Sequence, residues 1–340
     1  MTPDVVVAGG GPAGLATALH AAAAGLTVVV REPRPGAIDK ACGEGLMPGA
    51  VDRLARLGLD PPGQPLRGIR YVAGTTAAEA RFPGPPGRGV RRTALHEALR
   101  AAVAAAGVVV EERRVSQVRQ DDDGVLVDGT RARYLVAADG LHSPLRRGLG
   151  LDAPAAGRRR YGLRRHVAVA PWTDHVEVHW AEHAEAYVTP VGPGEVGVAL
   201  LTTRREPYAA QLAAFPALRE RLGEPTSTVR GAGPLHQRAR ARVAGRVLLV
   251  GDAAGYVDAL TGEGVSLALA QAEAAVAAVA AGRPAAYEAD WRRIVRRYRL
   301  LTRVLVTASA VGPVRRAIVP AARALPGVFA GAVAQLARPA

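Results

Sequence analysis

Cysteine is nearly missing: Cys42 is the only one in 340 residues. That excludes an internal disulfide and a thiolate-rich metal site, and a reducing cytoplasm is the compartment such a chain fits. Lysine is as scarce, so the formal charge of +14 rests on arginine with Lys40 alone beside it. Part of that basicity reads as the codon usage of a GC-rich genome. The rest favours anionic partners such as nucleotide phosphates, acidic metabolites or lipid headgroups. Aromatic residues make up 4% of the chain. They do not interleave with the arginines as stacking platforms, which argues against a nucleic-acid partner. Long apolar runs are missing too. Val265 to Ala281 comes nearest to a membrane span, and Gln271 and Glu273 interrupt it. No basic leader precedes Val5-Val6-Val7, so no signal peptide is expected.

What is present is enough for a folded core: 49% hydrophobic and 22% charged residues over a length that suits two connected domains. Val5–Val7, Pro12–Ala24 and Leu26–Val30 read as strand, helix and strand. Residues 33–45 are a loop, and Val51, Leu54 and Leu57 recur at helical spacing. Gly68–Val72 and Thr76–Phe82 are strand-like, Thr93 is placed to cap a helix running to Ala106, and Val108–Val110 returns as strand. Strands are expected at 114–119 and 124–127 around an acidic tip, Asp121-Asp122-Asp123-Gly124. Between Arg158 and Leu201 the apolar period becomes two, the mark of antiparallel strands. Arg246–Val250 and a helix from Gly264 to Ala281 follow, and residues 286–340 read as helices broken at Pro313, Pro320 and Pro326.

Three glycine-anchored segments carry the chemistry. In Gly9-x-Gly11-Pro12-Ala13-Gly14, after a strand and before a helix, the glycines permit a tight turn and close backbone approach. The helix N-terminus offers free N–H groups to a pyrophosphate, and Glu32, about 20 residues on, can bond ribose hydroxyls. Arg31 hints at a 2′-phosphate; Glu32 argues for a ribose diol. The second segment is Ala138-Asp139-Gly140 and the third Gly251-Asp252-Ala253-Ala254-Gly255.

In this order the three resemble the flavoprotein superfamily of para-hydroxybenzoate hydroxylase and geranylgeranyl reductase, over roughly residues 1–285. The resemblance implies FAD, with Asp139 and Gly140 bracing the pyrophosphate region and Asp252 holding the ribityl hydroxyls. It places Arg92 near the flavin linker, the Val115 backbone against the adenine, and the turn at Gly262, Gly264 and Val265 at the flavin pyrimidine edge, where a helix N-terminus favours anionic reduced flavin. Lys40-Ala41-Cys42-Gly43 and Thr261-Gly262-Glu263-Gly264 are similar to segments of the geranylgeranyl reductase group. Cys42 is thereby a candidate to contact flavin or substrate. Two positions depart from the pattern: Ala259 stands where proline is usual, and Tyr187-Val188-Thr189-Pro190 only partly echoes the aromatic signature of prenyl reductases, with Tyr187 the catalytic candidate there.

The expected architecture is α/β: a Rossmann-like FAD/NAD(P)-binding domain from 1–66, 90–155 and 232–285, an inserted, mostly antiparallel β substrate domain from 67–89 and 156–231, and C-terminal helices over 286–340. NAD(P)H would bind transiently as reductant, since no second complete dinucleotide fingerprint appears. The superfamily favours a monooxygenase of a small hydrophobic or aromatic metabolite. The alternatives are a C=C reductase like geranylgeranyl reductase and, in another class, a redox-silent flavin-bound cyclase or lipid-binding protein. The clusters Arg158-Arg159-Arg160 and Arg164-Arg165 suit an acidic substrate or a solvated surface. His142, His166, His175 and His179 show no metal-ligand spacing and read as sheet-surface or turn residues. Trp291, Ile294, Val295, Tyr298, Leu301 and Leu305 share a helical face with arginines beside it, so that helix either packs on the core or makes peripheral contact with a membrane.

Overall fold

Buried, β-branched Val5–Val7 make a strand that can only be central, and the chain builds outward from it. The computed structural model describes residues 2–155 and 157–338. Strand β1 (Val5–Ala8) leads through α1 (Pro12–Ala23) to β2 (Val28–Arg31), and α2 (Pro48–Arg56) follows. The chain then leaves for a second sheet as β3 (Gly68–Ala73) and β4 (Thr76–Arg81) before returning as α3 (Arg92–Ala105) and β5 (Val109–Glu111). After β6 (Tyr134–Ala137) and α4 (Pro144–Gly148) it crosses again for β7 (Tyr161–Ala168), β8 (His175–Trp180), β9 (Ala184–Gly192) and β10 (Glu195–Thr202). It comes back as β11 (Val247–Leu249), followed by α5 (Gly264–Ala280) and the C-terminal helices α6 (Tyr287–Ser309), α7 (Gly312–Ala324) and α8 (Pro326–Ala337).

The first sheet runs Val243–Ala244, β11, β6, β1, β2, β5, with β11 to β5 all parallel. Its register sets the site: Ala8 lies opposite both Arg31 and Ala137, and Ala137 opposite Leu249. Four neighbouring strands therefore end level at one carboxyl edge, where ligands of open α/β sheets bind.

The second sheet has seven strands, antiparallel except where β3 and β8 pair in parallel. Its residues alternate cleanly. Val196, Val198 and Leu200 face one way, under Tyr208, Phe215 and Leu218. Ala199, Leu201, Tyr187, Val176 and Val178 face the other, under Leu260 and the C-terminal residues Val319, Phe329 and Val333.

Several expectations change. Thr93 does not cap α3; Arg91 stands at that position with no side-chain cap bond. The strand expected over 114–119 shrinks to Val118–Gln120, in a three-stranded unit with Val125–Val127 and Thr130–Ala132, while Val115 is buried in the unpaired segment before it. Pro320 sits inside α7 without ending it, whereas Pro313 and Pro326 open helices, where a missing N–H costs nothing. On α6, Trp291, Val295 and Tyr298 are buried in the main core, so the amphipathic face anticipated for a membrane is the packing face.

Candidate active site

All three fingerprints leave the level strand ends. Gly9 follows β1, Asp139 lies two residues past β6, and Gly251 lies two past β11. They also touch. A Cβ on Gly14 would collide with the Gly9 carbonyl oxygen, and one on Gly251 would stand 2.8 Å from the Ala13 Cβ, so both must be bare. The first turn of α1 is thus clamped against the third fingerprint. Its N-cap, Gly11, brings no side chain to the free N–H groups, and the space beside Gly11 is open to 4 Å. An anion is what such a terminus binds.

Charged groups ring that space. Arg92 is 9% exposed, and its buried Nε has no hydrogen-bond partner. Lys40 lies close to Gly140, where an added Cβ would be 3.3 Å from its Nζ. Burial, with Arg34 and Arg92 nearby, holds the Lys40 ammonium below its ordinary range, opposed by Asp252. Asp252 keeps an accessible side chain although protein surrounds it, because it lines a cleft of about 210 Å³ with Gly251, Gly264 and Ala268. That enclosure pushes its carboxyl up, while Lys40, Arg92 and Arg146 pull it down. Two cations and an uncapped helix suit a pyrophosphate, and a carboxylate with no protein hydrogen-bond donor suits the hydroxyls of a ribityl chain.

Glu32 is engaged more fully than expected. Its Oε2 accepts from the Gly10 N–H at 2.8 Å, and both oxygens accept from Arg34. Arg34 is 46% exposed and can swing aside for a ribose. Asp139 binds within the protein: its Oδ2 accepts the Leu145 N–H of α4 at 3.1 Å, so it braces the turn. Arg31 does not face a 2′-phosphate; it is buried against Glu111 and Thr130. At the other end of the site Gly262 has φ +70°, and α5 begins at Gly264–Val265 with no side-chain cap, leaving N–H groups for an acceptor.

Three residues were not singled out from the sequence. His96 bridges Ile38 and Gly10: its Nδ1 accepts from the Ile38 N–H, so Nε2 carries the proton donated to the Gly10 carbonyl at 2.8 Å. It lies one helical turn after Arg92, the spacing that could have flagged it. Arg146, fully buried, ties Leu141 of the second fingerprint to Ala253 of the third, with Gln237 and Asp152 as further partners. Lys40 carried a signal as the chain's one lysine.

Comparison with known proteins agrees with this geometry. The FAD binding domain family matches residues 2–283. The chain belongs to this family. A menaquinone reductase of Mycolicibacterium smegmatis is 32% identical over 330 residues, covering 87% of this chain and 80% of that one. Digeranylgeranylglycerophospholipid reductase 1 of Methanothermobacter thermautotrophicus is 28% identical, covering 77% and 73%. A solved geranylgeranyl bacteriochlorophyll reductase-like protein of Thermoplasma acidophilum superposes with a TM-score of 0.79 at 23% identity, covering 90% and 87%.

This member of the FAD-binding family is an FAD-dependent oxidoreductase, and its remaining candidates lie on the substrate side. Cys42, half-buried, accepts from the Glu44 N–H at 3.3 Å, and burial raises its thiol. Glu44, buried with φ +59°, binds the Arg92 N–H through Oε1 and His166 through Oε2 at 2.6 Å. His166 is therefore no surface residue but part of the support beneath the Cys42 loop. His175 is buried as well. Tyr187 donates to the Leu260 carbonyl at 3.0 Å, so its hydroxyl holds the loop before α5. The arginine clusters divide. Arg158 and Arg159 are exposed, whereas Arg160 is buried against Glu185 and Asp258, and Arg164 against Asp39.

Glu263, buried at the start of α5, is pushed up to about 7 by burial, against the opposing pull of Arg297. A carboxyl raised on folding stabilises below its unfolded pKa and loses that contribution as pH rises through the folded value. Glu263→Gln should therefore be more stable than wild type by roughly 2–3 kcal/mol above neutrality, converging toward wild type near pH 4.5. Thermal unfolding of both proteins across that range reads the difference directly; a constant offset would contradict the burial of an ionisable carboxyl.

Proposed function

We propose that this protein is an NAD(P)H-dependent reductase of a carbon–carbon double bond in an isoprenoid chain. Menaquinone and digeranylgeranylglycerophospholipid share no head group. What they share is an unsaturated isoprenoid chain, so the relatives' names support recognition of the chain. The relatives' shared isoprenoid chain carries the reading, and the molecule supports it with apolar packing beside the flavin turn: Ile69, Val176, Val178 and Leu201 with Met47 and Leu260, a buried cluster covered by Phe329 and Val333. Apolar surroundings of this kind suit a hydrocarbon better than an acidic metabolite, and two of the arginines once suited to an acid are already paired. This ranks the reductase above the monooxygenase that the superfamily alone favours.

FAD, held by the α1 N-terminus, Arg92, Lys40 and Asp252 and reduced by NAD(P)H, would supply the hydride. The protein orients: Tyr187 fixes Leu260, Gly262 takes the positive φ of the turn, and the uncapped N-terminus of α5 would offer its N–H groups to the cofactor. Cys42, on the Lys40–Gly43 segment similar to that of the geranylgeranyl reductase group, is assigned as the group that would give the proton to the second carbon.

The test is anaerobic incubation with NADPH and menaquinone, with mass analysis of the side chain. A gain of two hydrogens without oxygen supports the reductase. Product formed only in air and carrying one added oxygen would replace it with the monooxygenase. Cys42→Ala should keep its flavin and lose roughly a hundredfold in turnover; unchanged turnover would remove the thiol from the reaction.

A further inference from the structure

The last acidic residue of the chain is Asp290; Trp291 to Arg338 hold ten arginines and no aspartate or glutamate. The large hydrophobic residues exposed among the described residues concentrate in the same stretch. Leu300, Val304, Val311, Val314, Leu325 and Val328 are open to solvent, Leu300 at 63% and Val328 at 69%. Their placement is ordered. On α6 the outward positions are Arg296, Leu300, Arg303, Val304 and Thr307, one helical face that grades from basic to apolar toward the turn at Val311. Val311 and Val314 mark the corner between α6 and α7, and Leu325 and Val328 the corner between α7 and α8. Exposed Arg316 and Arg323 lie between the two corners. Among the described residues, no single helix is long and apolar enough to cross a membrane.

We propose that this outer face of α6–α8 docks on an anionic lipid bilayer, the apolar corners entering the interface and the arginines pairing with phosphate groups. Apolar side chains rimmed by arginine, without carboxylates, match an interfacial helix on anionic lipid. A second copy of the chain is a poorer occupant. A two-fold contact would set a stretch with no acidic residue of its own against itself, arginine facing arginine. The inner faces of α7 and α8 give Val319, Phe329 and Val333 to the buried apolar cluster over the second sheet, so docking would set that sheet close to the membrane surface.

Holoprotein is sedimented with vesicles of phosphatidylcholine alone or mixed with phosphatidylglycerol. Binding to the mixed vesicles, weakened by salt, is expected. The triple variant Leu300→Glu, Val304→Glu, Val311→Glu should keep its flavin absorbance and bind at least roughly tenfold more weakly. Wild-type protein that stays in the supernatant with both vesicles would overturn the proposal, as would a flavin-loaded variant that binds equally. Light scattering adds a further arm: a dimer that the variant dissociates, without vesicle binding, would assign the face to a second copy.

Discussion

Replacing Glu185 with alanine should destabilise the protein by about 3–5 kcal/mol and loosen the C-terminal helices before the first sheet unfolds. Glu185 is 1% exposed and holds two buried arginines, Arg160 through Oε2 and Arg315 through Oε1, each at 2.6 Å. Arg315 also donates to the Ala184 carbonyl, which pins α7 to β9. Burial works against the charge on Arg160, and Glu185 with Asp258 outweighs it. Removing the shared carboxylate strands one charge beside Asp258 and leaves the other with carbonyls alone. Asp258, raised to about 6 by burial with Glu185 adding to the rise, is still ionised at neutrality and keeps facing Arg160, so the larger loss falls on Arg315. Hydrogen exchange should therefore show early opening of residues 312–337, with β1, β6 and β11 still protected. Glu185→Gln, which keeps the shape and one acceptor, should lose less. Uniform exchange across the chain would mean that the ion network does not join the helices to the sheet.

The contrast between that network and the fingerprints shows what a sequence can carry. Gly9, Gly14 and Gly251 are legible because each answers a local demand, a turn or a close approach, that no other residue meets. The strands before them are legible because a parallel core strand must be continuously apolar. Nothing local marks Glu185. Its partners lie 25 and 130 residues away along the chain, and an arginine run such as Arg158-Arg159-Arg160 looks the same whether its last member is solvated or buried. The α6 helix misleads for a related reason. Its amphipathic pattern is real, but periodicity gives a face without saying what covers it. The core takes Trp291, Val295 and Tyr298, and the exposed apolar residues are others, Leu300 and Val304. The strand end near Val115 and the cap at Thr93 shift at element boundaries, where one residue changes a cap or a strand end.

Asp252→Ala should give a folded apoprotein that binds FAD roughly 10- to 100-fold more weakly, because one charge-assisted hydrogen-bonding group is lost from the ribityl chain. The same change should leave the apoprotein as stable as wild type or more so. Burial raises the Asp252 carboxyl above its ordinary range, so its ionised form costs the empty fold something at neutral pH, and that cost grows as pH rises through the raised value. Lys40 and Arg92 offset it in part. The two readouts move in opposite directions: flavin affinity falls while the melting temperature of the apoprotein holds or rises. A variant that had merely misfolded would lose both. Asp252→Asn separates the remaining contributions, since it keeps an acceptor for hydroxyls but removes the charge that faces Lys40 and Arg92. Wild-type flavin affinity in both variants would detach the third fingerprint from the cofactor, and with it the clamp that Gly251 forms on α1.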